Sequence, residues 1–225
     1  FQAGDFDFIH TNSLIHISLQ QKLGAELVAC EKRGNFGSRT VGTIIARNGS
    51  GLSTVADLKG KRLAFGSPFA PAGYLAEYDL LLAAGVNPET DLGHYTTPAG
   101  AYKHEKLVYG VLFGFYDAAT VPALDLEVMI REGKIAADDL VILAQSKLIP
   151  YCAFTAAKRV NRATVLKMRE ALIALRPESS VTLNGEQIKV LKAAWIDGYE
   201  ELDESEFEPL RQMAKRVNLP QYTGQ

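Results

Sequence analysis

From about residue 4 onward the chain alternates short apolar runs of strand length with longer amphipathic stretches, a pattern that predicts βα units on a parallel α/β sheet. DFDFIH at residues 5–10 reads as a strand, Asn12 or Ser13 as the cap of a helix over 14–23, and residues 26–30 as the next strand. KRGNFGS at 32–38 carries two glycines and an asparagine, so it is a turn leading into the strand TVGTIIAR at 40–47. Thr54 followed three residues later by Asp57 is a capping box, and Gly60 ends the short helix it opens. RLAFG at 62–66 is a strand that runs into SPFAPAG and then a helix over 74–84, an arrangement that aims backbone N–H groups at a ligand.

Strands follow at 94–97, 117–121 and 140–144, with helices at 103–114 and 124–132 between them. PYCAFTA at 150–156 reads as a return strand, after which helices are expected over 162–175, 186–199 and 206–217. A helical tail after a βα series suggests packing back on the first part of the chain. The predicted division is 1–40 plus 155–225 as one lobe and 41–150 as the other, joined by a two-strand hinge.

Composition narrows the function. The 225 residues are 47% hydrophobic and 22% charged, enough to bury a core, and the formal net charge of −2 gives no basic footprint for nucleic acid. The most apolar run, 107–116, falls short of the roughly 20 residues that a membrane-spanning helix needs, so no membrane insertion is expected. No nucleophile elbow, Walker loop, dinucleotide glycine pattern or HExxH is present, which argues against an enzyme, and no cofactor is implied. Cys30 and Cys152 lack CxxC spacing; a disulfide, two buried thiols and a pair of thiol ligands all fit the sequence.

Several segments together resemble the phosphonate-binding-protein family of periplasmic receptors, of the type 2 periplasmic binding fold. They are GDFDFIHTN at 4–12, ADLKGKRLAFGSP at 56–68, AGYL at 72–75, LLAAGVNPETDL at 81–92, HEKLVYGVLFGFYDAATV at 104–121 and LIPYCAFTA at 148–156. The resemblance implies a two-lobed α/β protein, each lobe a mixed sheet flanked by helices, that closes over a small ligand in the periplasm. In that family a further βαβ unit precedes the strand that begins here near Gly4, so the N-terminal part of the first lobe is expected to be absent. The implied partners are a small inorganic or organophosphorus ligand and either an ABC permease or a membrane sensor kinase.

The family's ligand loop carries a run of hydroxyl residues that bind phosphonate oxygens, whereas this chain has Ala70, Pro71, Ala72 and Gly73 there. Three side-chain donors are missing and Pro71 has no N–H, so a buried dianion would lose several charge-assisted bonds of roughly 1.5–3 kcal/mol each. His104 matches the family's ligand-contacting histidine. His10 and Thr11 end the first strand, where open α/β sheets place their ligands, and Asn12 is better read as a helix cap. Phe69 and Tyr102 flank polar loop positions and are candidate walls, with Ala72 and Gly73 as loop contacts.

Loss of the hydroxyl loop together with cysteines near the ligand resembles a branch of periplasmic arsenite-binding proteins that signal to a membrane histidine kinase. Trivalent arsenic is soft and takes sulfur, and arsenite at neutral pH is an uncharged hydroxide. Cys30 is therefore the expected arsenic ligand, with Cys152 second. The alternative implied by the family is a phosphonate-, phosphite- or phosphate-binding subunit of an ABC importer.

Overall fold

The computed structural model describes residue 1 and residues 3–219. It opens with β1 (Phe8–Asn12), α1 (Ser13–Leu23), β2 (Glu26–Lys32) and the short strand β3 (Arg39–Thr40). Asn12 caps α1 by accepting from the Ile15 N–H at 3.0 Å, and Gly24 ends the helix in the left-handed region at φ 63°. Next come β4 (Gly42–Arg47), β5 (Arg62–Ala64), α2 (Ala76–Ala83), α3 (Pro88–Asp91), β6 (His94–Thr96), α4 (His104–Leu112), β7 (Ala118–Pro122), α5 (Ala123–Arg131) and β8 (Leu140–Gln145). The last third holds β9 (Ile149–Pro150), β10 (Cys152–Ala156), α6 (Arg162–Ala174), β11 (Ser180–Leu183), β12 (Glu186–Lys189), α7 (Val190–Ala194), β13 (Gly198–Glu200) and α8 (Glu208–Val217).

Contacts divide the chain into two compact units, one of residues 1–39 and 149–209, the other of 40–148 and 210–225. The first unit is a four-stranded sheet in the order β1-β10-β2-β13, in which every described pair is antiparallel. This differs from the parallel sheet expected from the βα alternation. β1 and β2 do run the same way, joined by α1, but β10 returns between them and is antiparallel to both. α6 covers one end of one face through Val165 against Val28 and Ala156, with Phe8, Phe154 and Met168 around them.

The second unit is a five-stranded mixed sheet in the order β6-β5-β7-β4-β8: β6, β5 and β7 are parallel, and β4 is antiparallel to β7 and β8. Ile45, Ala64, Leu107, Val108, Ala119 and Val121 form its closed core under α4 and α5. Thr54 and Asp57 make the reciprocal cap that their spacing predicts, and the backbone N–H groups of Ser53 and Thr54 hold Asp57 down to about 2.

Two readings of the tail are corrected. Residues 186–199 are not a helix: Ser180–Leu183 and Glu186–Lys189 form an antiparallel hairpin, and only Val190–Ala194 is helical. Asn184 and Gly185 form its two-residue turn with φ of 52° and 83°, the left-handed pair that a tight hairpin requires. Nor does the last helix belong with the first unit. Leu210, Met213, Ala214 and Val217 are buried along one helical face, and Arg216 pairs with Asp79 of α2 at 2.7 and 2.9 Å, which fixes the end of α8 to the second unit. Residues 220–225 of the expected first lobe lie outside the described residues.

Candidate ligand-binding site

In the first unit, strand alternation decides which predicted residues meet. His10 lies opposite Phe154 and Asn12 opposite Cys152 in the β1–β10 register, so these side chains leave one face of the sheet. Ala153 lies opposite Cys30 in the β10–β2 register, which sets Cys152 beside Glu31 on that same face and turns Cys30 to the other. Tyr199 faces Glu31 from β13. The result is a cluster of His10, Glu31 and Cys152 whose ligand atoms lie within 4.8 Å of one another.

His10 Nε2 is 2.8 Å from Glu31 Oε2, and the Glu31 side chain is only 4% exposed while that of His10 is 42% exposed. The Cys152 thiol is raised above its ordinary value, first by burial and then by the Glu31 charge, to which it also hydrogen-bonds; the nearby Arg33 guanidinium opposes the shift. Burial, Glu31 and Cys152 likewise raise the Tyr199 phenol. Arg33 stands at the rim, bonded to the Tyr151 hydroxyl at 3.2 Å and to the Trp195 carbonyl at 2.9 Å.

Cys30, the expected arsenic ligand, is fully buried on the opposite face, and burial followed by Glu204, Glu200, Glu206 and Glu31 pushes its thiol up to about 12. Both cysteines are free thiols, and their side chains leave opposite faces of the sheet. Thr11 also falls on the Cys30 face, since it pairs with Ala153. That face meets α1, where the buried His16 bonds the Thr155 hydroxyl at 2.9 Å.

In the second unit, β5 leads into a loop that kinks at Pro71–Leu75, with Ala72 extended and Gly73 at φ 94°. Ala72 and Gly73, both expected to touch the ligand, are buried beneath their own loop. The Gly73 N–H donates to both oxygens of Glu77, at 2.7 and 2.9 Å, and the Gly73 carbonyl accepts from the Gly66 N–H at 2.7 Å and from the Thr120 hydroxyl. Glu77 is fully buried, and desolvation pushes its carboxyl up to about 8 against the backbone bonds from Gly73, Glu77 and Thr43, which pull it down. A buried acid thus takes up the Gly73 N–H of the loop.

His104 opens α4, with Nδ1 bonded to Asp125 and Nε2 buried with no hydrogen-bond partner among the described residues. A Cβ at Gly73 would come within 3.0 Å of that Nε2, so the glycine makes room for the ring. With Asp125 accepting from Nδ1–H, a neutral imidazole offers a lone pair at Nε2; only the protonated ring donates there. A depression of about 310 Å³ beside it is lined by Tyr102, Lys103, His104, Glu105, Asp125, Val128 and Met129. Tyr102 is 70% and Phe69 56% exposed.

Residue reasoning missed Glu31, Glu77, Asp125 and Tyr199. Glu31 was signalled by strand parity, because residues i and i+1 of a strand face opposite ways and Cys30 and Glu31 cannot share a site. The others carried no local signal.

The two sheets and their helices define a type 2 periplasmic binding fold. XAC2383 from Xanthomonas citri, bound to ATP, matches with a TM-score of 0.75 at 17% identity, covering 96% of this chain and 80% of that one. PhnD1 from Prochlorococcus marinus, in complex with methylphosphonate, matches with a TM-score of 0.74 at 13% identity, over 96% and 80% of the two chains. Residues 1–207 match the family described as "ABC transporter, phosphonate, periplasmic substrate-binding protein", and the chain belongs to that family. It is also similar to the tetrathionate sensor histidine kinase TtrS of Salmonella typhimurium, 29% identical over 183 residues. That match takes in 75% of this chain and 30% of the kinase, so the chain spans less than a third of that relative's length.

Proposed function

We propose that this chain is a periplasmic ligand-sensing region acting upstream of a membrane histidine kinase, and that its ligand is arsenite held through Cys152. The observation that carries the ligand assignment is the Cys152 thiol, set beside Glu31 and His10 on one face of a sheet. Arsenite, As(OH)₃, condenses with a thiol by forming an S–As bond and breaking one As–OH bond. The hydroxyl leaves as water with the thiol proton, and no oxidation state changes. The net exchange starts from the thiol and releases only water, so it leaves no ionised sulfur at Cys152, where burial and the Glu31 charge disfavour the thiolate. Cys30, with its side chain fully enclosed, has no role in this reading.

Phosphonate is disfavoured for a second, independent reason besides the absent hydroxyls: Glu77 occupies the Gly73 N–H. The sensor assignment rests on the similarity to a sensor kinase over three quarters of this chain. That relative's name also favours a second ligand, tetrathionate: the same thiol would form a bond to one of its inner sulfurs and break the central sulfur–sulfur bond, releasing thiosulfate and the thiol proton.

Calorimetric titration with arsenite, tetrathionate and methylphosphonate separates the readings. Arsenite heat in the parent and in Cys30→Ser, absent in Cys152→Ser, is expected. Tetrathionate heat with arsenite silent replaces arsenite by the sulfur oxyanion. Methylphosphonate heat alone returns the chain to the alternative, a phosphonate-, phosphite- or phosphate-binding subunit of an ABC importer.

A further inference from the structure

We infer that His10, Glu31 and Cys152 form a coordination site for a borderline-soft divalent cation such as Zn²⁺. The three residues supply an imidazole nitrogen, a carboxylate oxygen and a sulfur, the donor types zinc takes, and three protein ligands with one position left open is a common zinc arrangement. Metal–ligand bonds of about 2.0–2.3 Å put tetrahedral ligand atoms roughly 3.3–3.8 Å apart. The present separations, 2.8 Å for His10–Glu31 and within 4.8 Å for every pair of the set, lie either side of that range, so small side-chain shifts reach it.

The backbone does most of the positioning. β1, β10 and β2 are adjacent strands, and their registers put Asn12 opposite Cys152 and Ala153 opposite Cys30; both constrain the face from which the three side chains project. Glu31 is buried and therefore fixed, with Tyr199 opposite it on β13 as its neighbour. His10, less than half exposed, gives an ion its route in. A cation at the centre would neutralise the buried Glu31 carboxylate and take up the Cys152 sulfur as thiolate.

The cation site shares Cys152 with the arsenite reading but does not rest on it. Arsenite requires one sulfur, whereas the cation requires all three ligands, so the two fail separately. Co²⁺, a spectroscopic substitute for zinc, tests the site directly. Added to the reduced whole chain it should give a sulfur-to-cobalt charge-transfer band saturating at one equivalent. Cys152→Ser should remove the band, His10→Ala and Glu31→Gln should each weaken Co²⁺ binding at least tenfold, and Cys30→Ser should leave it unchanged.

Absence of the band at millimolar Co²⁺, its survival in Cys152→Ser, or its loss in Cys30→Ser overturns the proposal. Should Cys152→Ser not fold, alkylation of the parent by iodoacetamide, read residue by residue in a mass spectrometer, replaces it. Zn²⁺ should then slow alkylation of Cys152 at least tenfold, and an unchanged rate overturns the site. Arsenite titrations of His10→Ala and Glu31→Gln, run alongside, separate the two readings: arsenite heat retained with Co²⁺ lost supports both.

Discussion

The two units treat their polar groups in opposite ways. In the first, His10, Glu31 and Cys152 converge, and one member, His10, is partly open to solvent. In the second, the loop of the ligand-binding family closes on itself: Glu77 takes the Gly73 N–H, and Gly66 and Thr120 take the Gly73 carbonyl. The difference teaches which polar groups each unit leaves available. The loop of the second unit satisfies its own donor and acceptor internally, whereas the sheet of the first sets an imidazole, a carboxylate and a thiol side by side.

The contrast is broken most forcefully at Glu77. The folded protein holds the Glu77 proton up to about 8, whereas an unfolded chain releases it near 4.5, so its contribution to stability is full below pH 4.5 and is lost as pH rises through 8. Glu77→Gln keeps an acceptor for Gly73 and has no proton to lose. Urea unfolding should show the parent losing of order 4 kcal/mol relative to Glu77→Gln between pH 4.5 and 9. Parallel pH profiles would mean that Glu77 is ionised in the fold.

Next in size is Gly66→Ala. A Cβ there would come within 2.7 Å of the Gly73 carbonyl oxygen, a backbone atom that cannot step aside cheaply, so about 3 kcal/mol of stability should be lost in denaturant titration. Asp125→Asn comes third. It weakens the bond that holds the His104 ring at the start of α4, and denaturant titration should show a loss of about 1.5 kcal/mol. Cys30→Ser is the smallest: arsenite affinity should stay within about twofold of the parent, while thermal unfolding registers a loss of about 1 kcal/mol for a newly buried hydroxyl.

Much of the fold was legible because it is local. Asn12 as a cap, the Thr54–Asp57 box and the start of α6 all depend on residues within one turn of each other. The insertion of β10 between β1 and β2 was not legible, since the alternation of β and α segments says nothing about which strand a distant one joins. Asn184-Gly185 is itself a hairpin signal, which the expected helix over 186–199 leaves out.

The site was half legible for a similar reason. His10, Cys152 and His104 stand out as reactive types at strand and helix ends. Glu31, Asp125 and Glu77 look like ordinary surface acids in sequence, and only the registers and the loop kink bring them to His10, His104 and Gly73. Alternation along β2 turns Cys30 to the face opposite Cys152, which its position near the strand end does not by itself reveal.

The central claim is that one sulfur, that of Cys152, meets the ligand. X-ray absorption at the arsenic edge on the arsenite-loaded, reduced protein reads this directly. One sulfur and two oxygens around arsenic in the parent and in Cys30→Ser, with the sulfur gone in Cys152→Ser, is the predicted result. An all-oxygen shell in the parent, or sulfur that persists in Cys152→Ser, would contradict it.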